Sequence, residues 1–197
     1  MSNTEKKISS LFPSNISKTK NISPEFTSQD ERDNQGRFLC GDLDITIDQE
    51  GTWYYNNTPI GRKELVRLFS SVIQRDQDNN YWLVTPAEKG KIYVEDVPFM
   101  AVELTVSGAG KYQSLKFRTN IDEFVEAGVS NPITFINNQE TGEPSPYVLV
   151  RDNLEAKLTR AVYYQLVGLG IEEQVADRGI FGVWSKGEFF EIGEVEA

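Results

Sequence analysis

The stretch GDLDITIDQEGTWYYNNTPIGRKELVRLFSSVI, residues 41–73, decides the fold expectation because two hydrophobic periods meet inside it. Leu43, Ile45 and Ile47 alternate with Asp42, Asp44, Thr46 and Asp48, the two-residue period of a half-buried strand. Gln49-Glu50-Gly51 turns the chain, and residues 52–55 run back as a β-rich, aromatic strand. Asn56-Asn57 supplies the positive-φ pair that a two-residue hairpin turn requires, and residues 58–60 form a short third strand. Past Gly61 the period changes. Leu65, Val66, Leu68, Phe69, Val72 and Ile73 fall at helical spacing and make one wide apolar face.

Working outward, residues 76–80 end the helix in a polar loop, and residues 81–85 and 91–95 form a hairpin through PAEKG. Residues 98–146 read as entirely β: strands at 99–106 and 114–119 flank SGAGKYQ, and short strands come next near Phe124 and at 133–136. The run NNQETGEPSP is expected to resist regular pairing because of its Gly and prolines. The first pattern then returns: a strand at 147–151, a turn at Asp152-Asn153, and Leu154, Ala156 and Leu158 alternating on a return strand. A helix with Leu158, Val162, Leu166 and Leu169 on one face and a hairpin around Ser185-Lys186-Gly187 complete it. A constant shift of 97 pairs Asn56 with Asn153, Leu65 with Val162 and Phe69 with Leu166. The expected fold is therefore α+β with mostly antiparallel sheet. Two β-hairpin–helix–β-hairpin units, at 38–97 and 146–197, are joined by a central β segment at 98–145 and preceded by a tail at 1–37.

Composition removes more chemistry than any motif adds. The chain has 197 residues, one Cys and no His. Cys40 has no intrachain disulfide partner, as expected in a reducing, cytoplasmic setting. Ser-His-Asp and Cys-His catalysis are excluded, as are zinc sites built on His or several Cys. The net charge is −10, unevenly spread: residues 1–37 carry 6 basic against 5 acidic side chains, leaving 14 against 25 for the body. Phosphate backbones and anionic lipid heads are repelled by such a body, so neither nucleic acid nor membrane is an expected partner. No apolar run approaches the roughly 18 residues of a membrane span, and the lysine-containing N-terminus lacks the hydrophobic block of a secretory signal.

Two segments imitate calcium loops and fail. Asp76, Asp78 and Asn80 fit the first ligand positions of an EF-hand, but Tyr81 stands where Gly is required and Ala87 where a bidentate Glu is required. Asp42, Asp44 and Asp48 alternate with apolar residues and read as the solvated face of a strand. Gly108-Ala109-Gly110-Lys111 is a hairpin turn rather than a phosphate loop, since Thr105 and Tyr112 replace the motif's first Gly and its Ser/Thr. No metal site and no cofactor are expected.

Arg62, Arg118 and Arg151 stand out in a body so short of positive charge, each in or beside an element carrying aromatics. Arg67 shares that setting. An arginine fork grips a carboxylate or phosphate in fixed geometry; the competing reading is an ion pair with a body acid. Trp82, from the cluster Trp53, Tyr54, Tyr55, Tyr81 and Trp82, either packs across strands or lines a ligand cleft. Asn120 and Tyr147 add neutral hydrogen bonds to that expectation. Glu88 and Asp96 are the weak candidates for an acid/base pair; the competing reading is structural.

The ordered blocks GDLDITID, GTWYY, PIGR, LVRLF and YWLVTPAEKGKIYVEDVPF, then FRTN, EPSPYVLVR and GVWSKGEFFEIG, resemble an uncharacterised bacterial family known only as a domain of unknown function. The resemblance spans residues 38–193. It implies a two-part α+β fold with repeated motifs and a ligand-binding role in signalling or regulation, and it supplies no catalytic residues. The tail and EEQVADRG look longer than the family's usual form. The leading expectation is a non-enzymatic module that takes a small anionic ligand or a partner protein in the groove between the two units. The alternatives are a histidine-free, carboxylate-dependent hydrolase and a structural interaction protein.

Overall fold

The computed structural model describes residues 31–137, 144–175 and 178–195. Among them are fifteen strands and two α-helices, α1 (Lys63–Ser70) and α2 (Arg160–Val167), of eight residues each. Such a helix is about 12 Å long, while a six-stranded sheet is about 24 Å across. Neither helix can form a layer, so the protein is mostly β and the α+β expectation is overturned.

The chain divides into two compact units. One holds the described residues through Thr46 together with Trp53–Tyr93; the other holds Ile47–Thr52 and the described residues from Val94 onward. In the first, β1 (Phe38–Ile47), β2 (Trp53–Tyr55), β3 (Thr58–Pro59), β4 (Ile73–Arg75), β5 (Tyr81–Val84) and β6 (Glu88–Val94) form one sheet in the order β3-β2-β1-β6-β5-β4. Asn56 and Asn57 both take positive φ at the β2–β3 turn. Buried Trp53 stacks on Phe69 of α1, with ring centroids 6.2 Å apart.

Helix α1 ends earlier than its apolar pattern predicts. The Ser71 hydroxyl donates to Leu68 O at 2.7 Å, a local bond that competes with helix continuation. Ile73 then leaves as β4 and pairs with Leu83. The helix therefore leads into a three-strand meander rather than a hairpin. The loop at 76–80 closes the β4–β5 turn, not the helix: Asp76 Oδ1 accepts from the Asp78 and Asn80 amides at 2.9 and 2.8 Å.

In the second unit, β7 (Phe99–Ser107), β8 (Ser114–Thr119), β9 (Phe124–Glu126), β10 (Ile133–Asn137), β11 (Pro144–Arg151) and β12 (Leu154–Leu158) make a sheet in the order β10-β11-β12-β7-β8-β9. The β12–β7 pairing is parallel and the others are antiparallel. The central β segment is thus part of this sheet rather than a connector. Pro144 and Pro146, expected to be unpaired, stand opposite Asn137 and Phe135. The rest of that turn, residues 138–143, lies outside the described residues. Strands β13 (Ile171–Val175), β14 (Arg178–Ser185) and β15 (Glu188–Glu194) form a separate antiparallel sheet. The two expected hairpin–helix–hairpin units are therefore not equivalent. In the first, the strands before and after the helix share a sheet; in the second they do not.

Two polar side chains fasten the second unit from inside. Ser185 is fully buried; its hydroxyl donates to Ala127 O at 2.7 Å and accepts from the Leu115 amide at 3.1 Å, tying β14 to β8. Asn120 accepts from the Met100 amide at 3.1 Å and donates to Gly51 O at 3.1 Å. Gly51 has φ +74, and a Cβ there would lie 2.7 Å from Met100 Cγ, so a side chain is excluded both by conformation and by space. Replacing either fastener leaves buried backbone groups unpaired. Ser185→Ala is expected to cost about 1–3 kcal/mol and Asn120→Ala about 1–2 kcal/mol, read from the midpoint of urea unfolding.

Candidate functional site

In the second unit, β11 begins before β12 can pair with it: the β11–β12 register starts at Tyr147↔Lys157, so Pro146 lies level with Leu158, the end of β12, and Pro144 and Ser145 extend past it. Prolines suit this overhang because they have no N–H to give to a neighbouring strand. On the other side the chain leaves β12 at Leu158 and enters α2 through Thr159, whose amide is held by Ala101 O at 3.0 Å. Between overhang and helix lies a groove of about 430 Å³, lined by Pro144, Ser145, Pro146, Lys157, Leu158, Arg160, Tyr163 and Tyr164. Arg160, Tyr163 and Tyr164 stand three and four residues apart and so share a face of α2. Val162 and Leu166 are buried in the core.

Among the described residues of the lining, two are cations and none is an acid. The Lys157 ammonium donates to Asp96 Oδ2 at 2.7 Å, and the Tyr147 phenol donates to the same carboxylate at 3.1–3.2 Å. Burial alone would lower the Lys157 pKa, but the hydrogen bond and charge of Asp96 outweigh it and hold the ammonium above its ordinary value. Burial, then the Asp96 charge, raises the Tyr147 phenol, and burial, then Tyr164, raises that of Tyr163. Lysine and both phenols therefore keep their protons at neutral pH and act as donors. Arg160 donates to the Tyr164 hydroxyl at 3.1 and 3.3 Å and lies over its ring. The Tyr163 ring packs on Phe135, while Tyr164 is exposed. Such a lining can hold an anion but offers no group poised to exchange a proton near neutrality.

Of the residues singled out from sequence, Tyr147 and Asp96 stand beside this groove, joined to each other and to Lys157. Arg118 is engaged by Glu103 at 2.7 Å and Asp122 at 2.8 Å. Arg151 pairs with Glu123 at 3.2 Å and covers the Phe99 ring. Asn120 fastens the Gly51 turn. Arg62 and Trp82 belong to the first unit. Arg62 is exposed at the N-cap of α1, while Trp82 donates to Asp76 at 2.7 Å and carries the Lys89 ammonium over its ring. Glu88, whose carboxyl is raised by burial, lies in the first unit and Asp96 in the second. Lys157 is inconspicuous in the sequence, where it looks like one more solvent-facing residue of an alternating strand. The i, i+3, i+4 set on α2 was legible as a face but was not singled out.

A second groove, of about 390 Å³, lies in the first unit against Asp42, Asp44, Lys91 and Tyr93. Among the described residues no group of three or more Cys, Asp or Glu is placed to hold a metal ion. No described helix is long and apolar enough to cross a membrane.

Comparison with known proteins gives relatives of undetermined role. Residues 37–97 match the family described as "Domain of unknown function (DUF1285), N-terminal domain", and residues 98–192 match "Protein of unknown function (DUF1285), C-terminal domain". The crystal structure of a DUF1285 family protein from Silicibacter pomeroyi DSS-3 is 44% identical, with TM-score 0.74, over 81% of this chain and 84% of that one. A second, from Shewanella baltica OS155, is 26% identical with TM-score 0.51, over 64% of this chain and 91% of that one. No curated protein matches. With both domains matched in order across residues 37–192, the chain belongs to the uncharacterised DUF1285 family.

Proposed function

We propose that this protein is a non-enzymatic binding module with a regulatory role, and that it holds a small anion, a carboxylate or phosphate, in the groove between β11, β12 and α2. The observation that carries the reading is the lining: Lys157 and Arg160 with no acid among the eight described residues, in a chain of net charge −10. A pocket of this size suits a small metabolite, with few polar groups fixing its orientation. The hydroxyls of Ser145 and Tyr163 add neutral donors, and the exposed Tyr164 ring offers a flat apolar face. Arg118 and Arg151 are not among the residues that line this groove and do not enter the reading.

Thermal melts with inorganic phosphate, citrate and a set of nucleotides test this. A ligand at about one hundred times its Kd stabilises by about 2.7 kcal/mol, so a rise of several degrees in Tm is expected. Lys157→Met and Arg160→Met abolish it, and Arg62→Ala leaves it unchanged. Because burial is outweighed by Asp96 and the Lys157 ammonium is held above its ordinary value, the pH dependence follows the ligand: phosphate gains charge as its second proton leaves, so its shift grows from about pH 6 to about pH 8. If no anion raises Tm, or the rise survives in both Lys157→Met and Arg160→Met, the reading is wrong.

A further inference from the structure

Lys157 faces two ways. It lines the groove, and its ammonium is held on Asp96 at 2.7 Å. Asp96 is not a groove residue. It lies in the bend Glu95–Pro98 that connects β6 to β7, at the place where the match to the family's N-terminal domain gives way to the C-terminal one. Both partners are only about a quarter exposed, 27% for the Lys157 side chain and 24% for Asp96, so water screens the pair less than it would on open surface. The Tyr147 phenol donates to the same carboxylate, which fixes its position.

We infer that Asp96 is a built-in competitor for the anion site: its carboxylate occupies Lys157 when the groove is empty and yields it when an external anion binds. The inference rests on the groove being an anion site. An anion reaching Lys157 from the groove meets Asp96 as a like charge on the far side of one ammonium, and two carboxylate-type charges at such separation repel. Binding is thereby weaker than two cations would give, and it loosens the bond that holds the bend. Because that bend is the covalent junction of the two family domains, loss of the Asp96 contact is a change that occupancy of the groove imposes on the chain between them. The Tyr147 phenol supports the exchange: it remains a donor to Asp96 after Lys157 has turned away, so the released carboxylate is not left unpaired.

Titration calorimetry with inorganic phosphate on the full chain tests the inference, comparing the wild type with Asp96→Asn and Asp96→Asn/Lys157→Met. Asp96→Asn is expected to bind on the order of tenfold more tightly, by removal of one nearby like charge, and the double variant not to bind. Equal or weaker binding by Asp96→Asn, when the wild type binds, overturns the inference and leaves the anion site standing. Absence of binding by both overturns the site itself. A measurement on the wild type alone guards against loss of fold in the variant. Amide hydrogen exchange across residues 95–98 should quicken on saturation with phosphate; unchanged or slower exchange there contradicts the competition.

Discussion

The parallel pairing of β12 with β7, through Ala156↔Phe99, Lys157↔Met100 and Leu158↔Ala101, is the contact on which the second unit depends. It joins β10–β11–β12 to β7–β8–β9, strands that would otherwise be two separate antiparallel groups. Leu154, Ala156 and Leu158 are buried together with Phe99 and Ala101, so the pairing sits in the core rather than at an edge. Its position also fixes where β12 ends. Because β12 stops at Leu158 while β11 extends on to Pro144, the sheet has a notch, and α2 begins beside that notch.

The notch then collects a particular chemistry. Strand alternation turns Lys157 away from Ala156 and Leu158, and helical periodicity gathers Arg160, Tyr163 and Tyr164. The prolines opposite them contribute no N–H to be satisfied. Nothing in this arrangement is a proton-transfer device, since the phenols and the ammonium all hold their protons well above neutrality. What remains is a donor-rich wall that an acidic protein does not acquire from average composition.

Local features were legible in the sequence and long-range ones were not. The Asn56-Asn57 and Asp152-Asn153 turns arise from residues that accept positive φ, and all four adopt it. Alternation placed β1 and β12 correctly because one face of each is buried. The first helix was overestimated because Val72 and Ile73 continue the helical period while the chain turns at Val72 and pairs as strand from Ile73, and the Ser71 hydroxyl gives the Leu68 carbonyl another partner. Strands β4 and β13 were missed: Ile73-Gln74-Arg75 is too short to show a period, and Ile171-Glu172-Glu173-Gln174 favours helix by composition. The parallel β12–β7 contact leaves no local trace at all, and the class was misread because both helices stop after eight residues. The arginines were conspicuous by their rarity, yet Arg118 and Arg151 found acids nearby, the competing outcome that an excess of carboxylates makes common. Tyr147 was legible as a polar aromatic in an apolar strand. Its partners Asp96 and Lys157 are 51 residues before and ten after it, and only the sheet brings them together.

The central claim is that anions bind in the notch beside β12. Side-chain NMR of the lysine ammonium and arginine guanidinium groups, monitored while inorganic phosphate is added, asks this directly. If the notch is the site, the Lys157 and Arg160 signals move together with one saturation curve, while those of Arg118 and Arg151 stay in place. Saturable movement at Arg118 or Arg151 with Lys157 unmoved would contradict it.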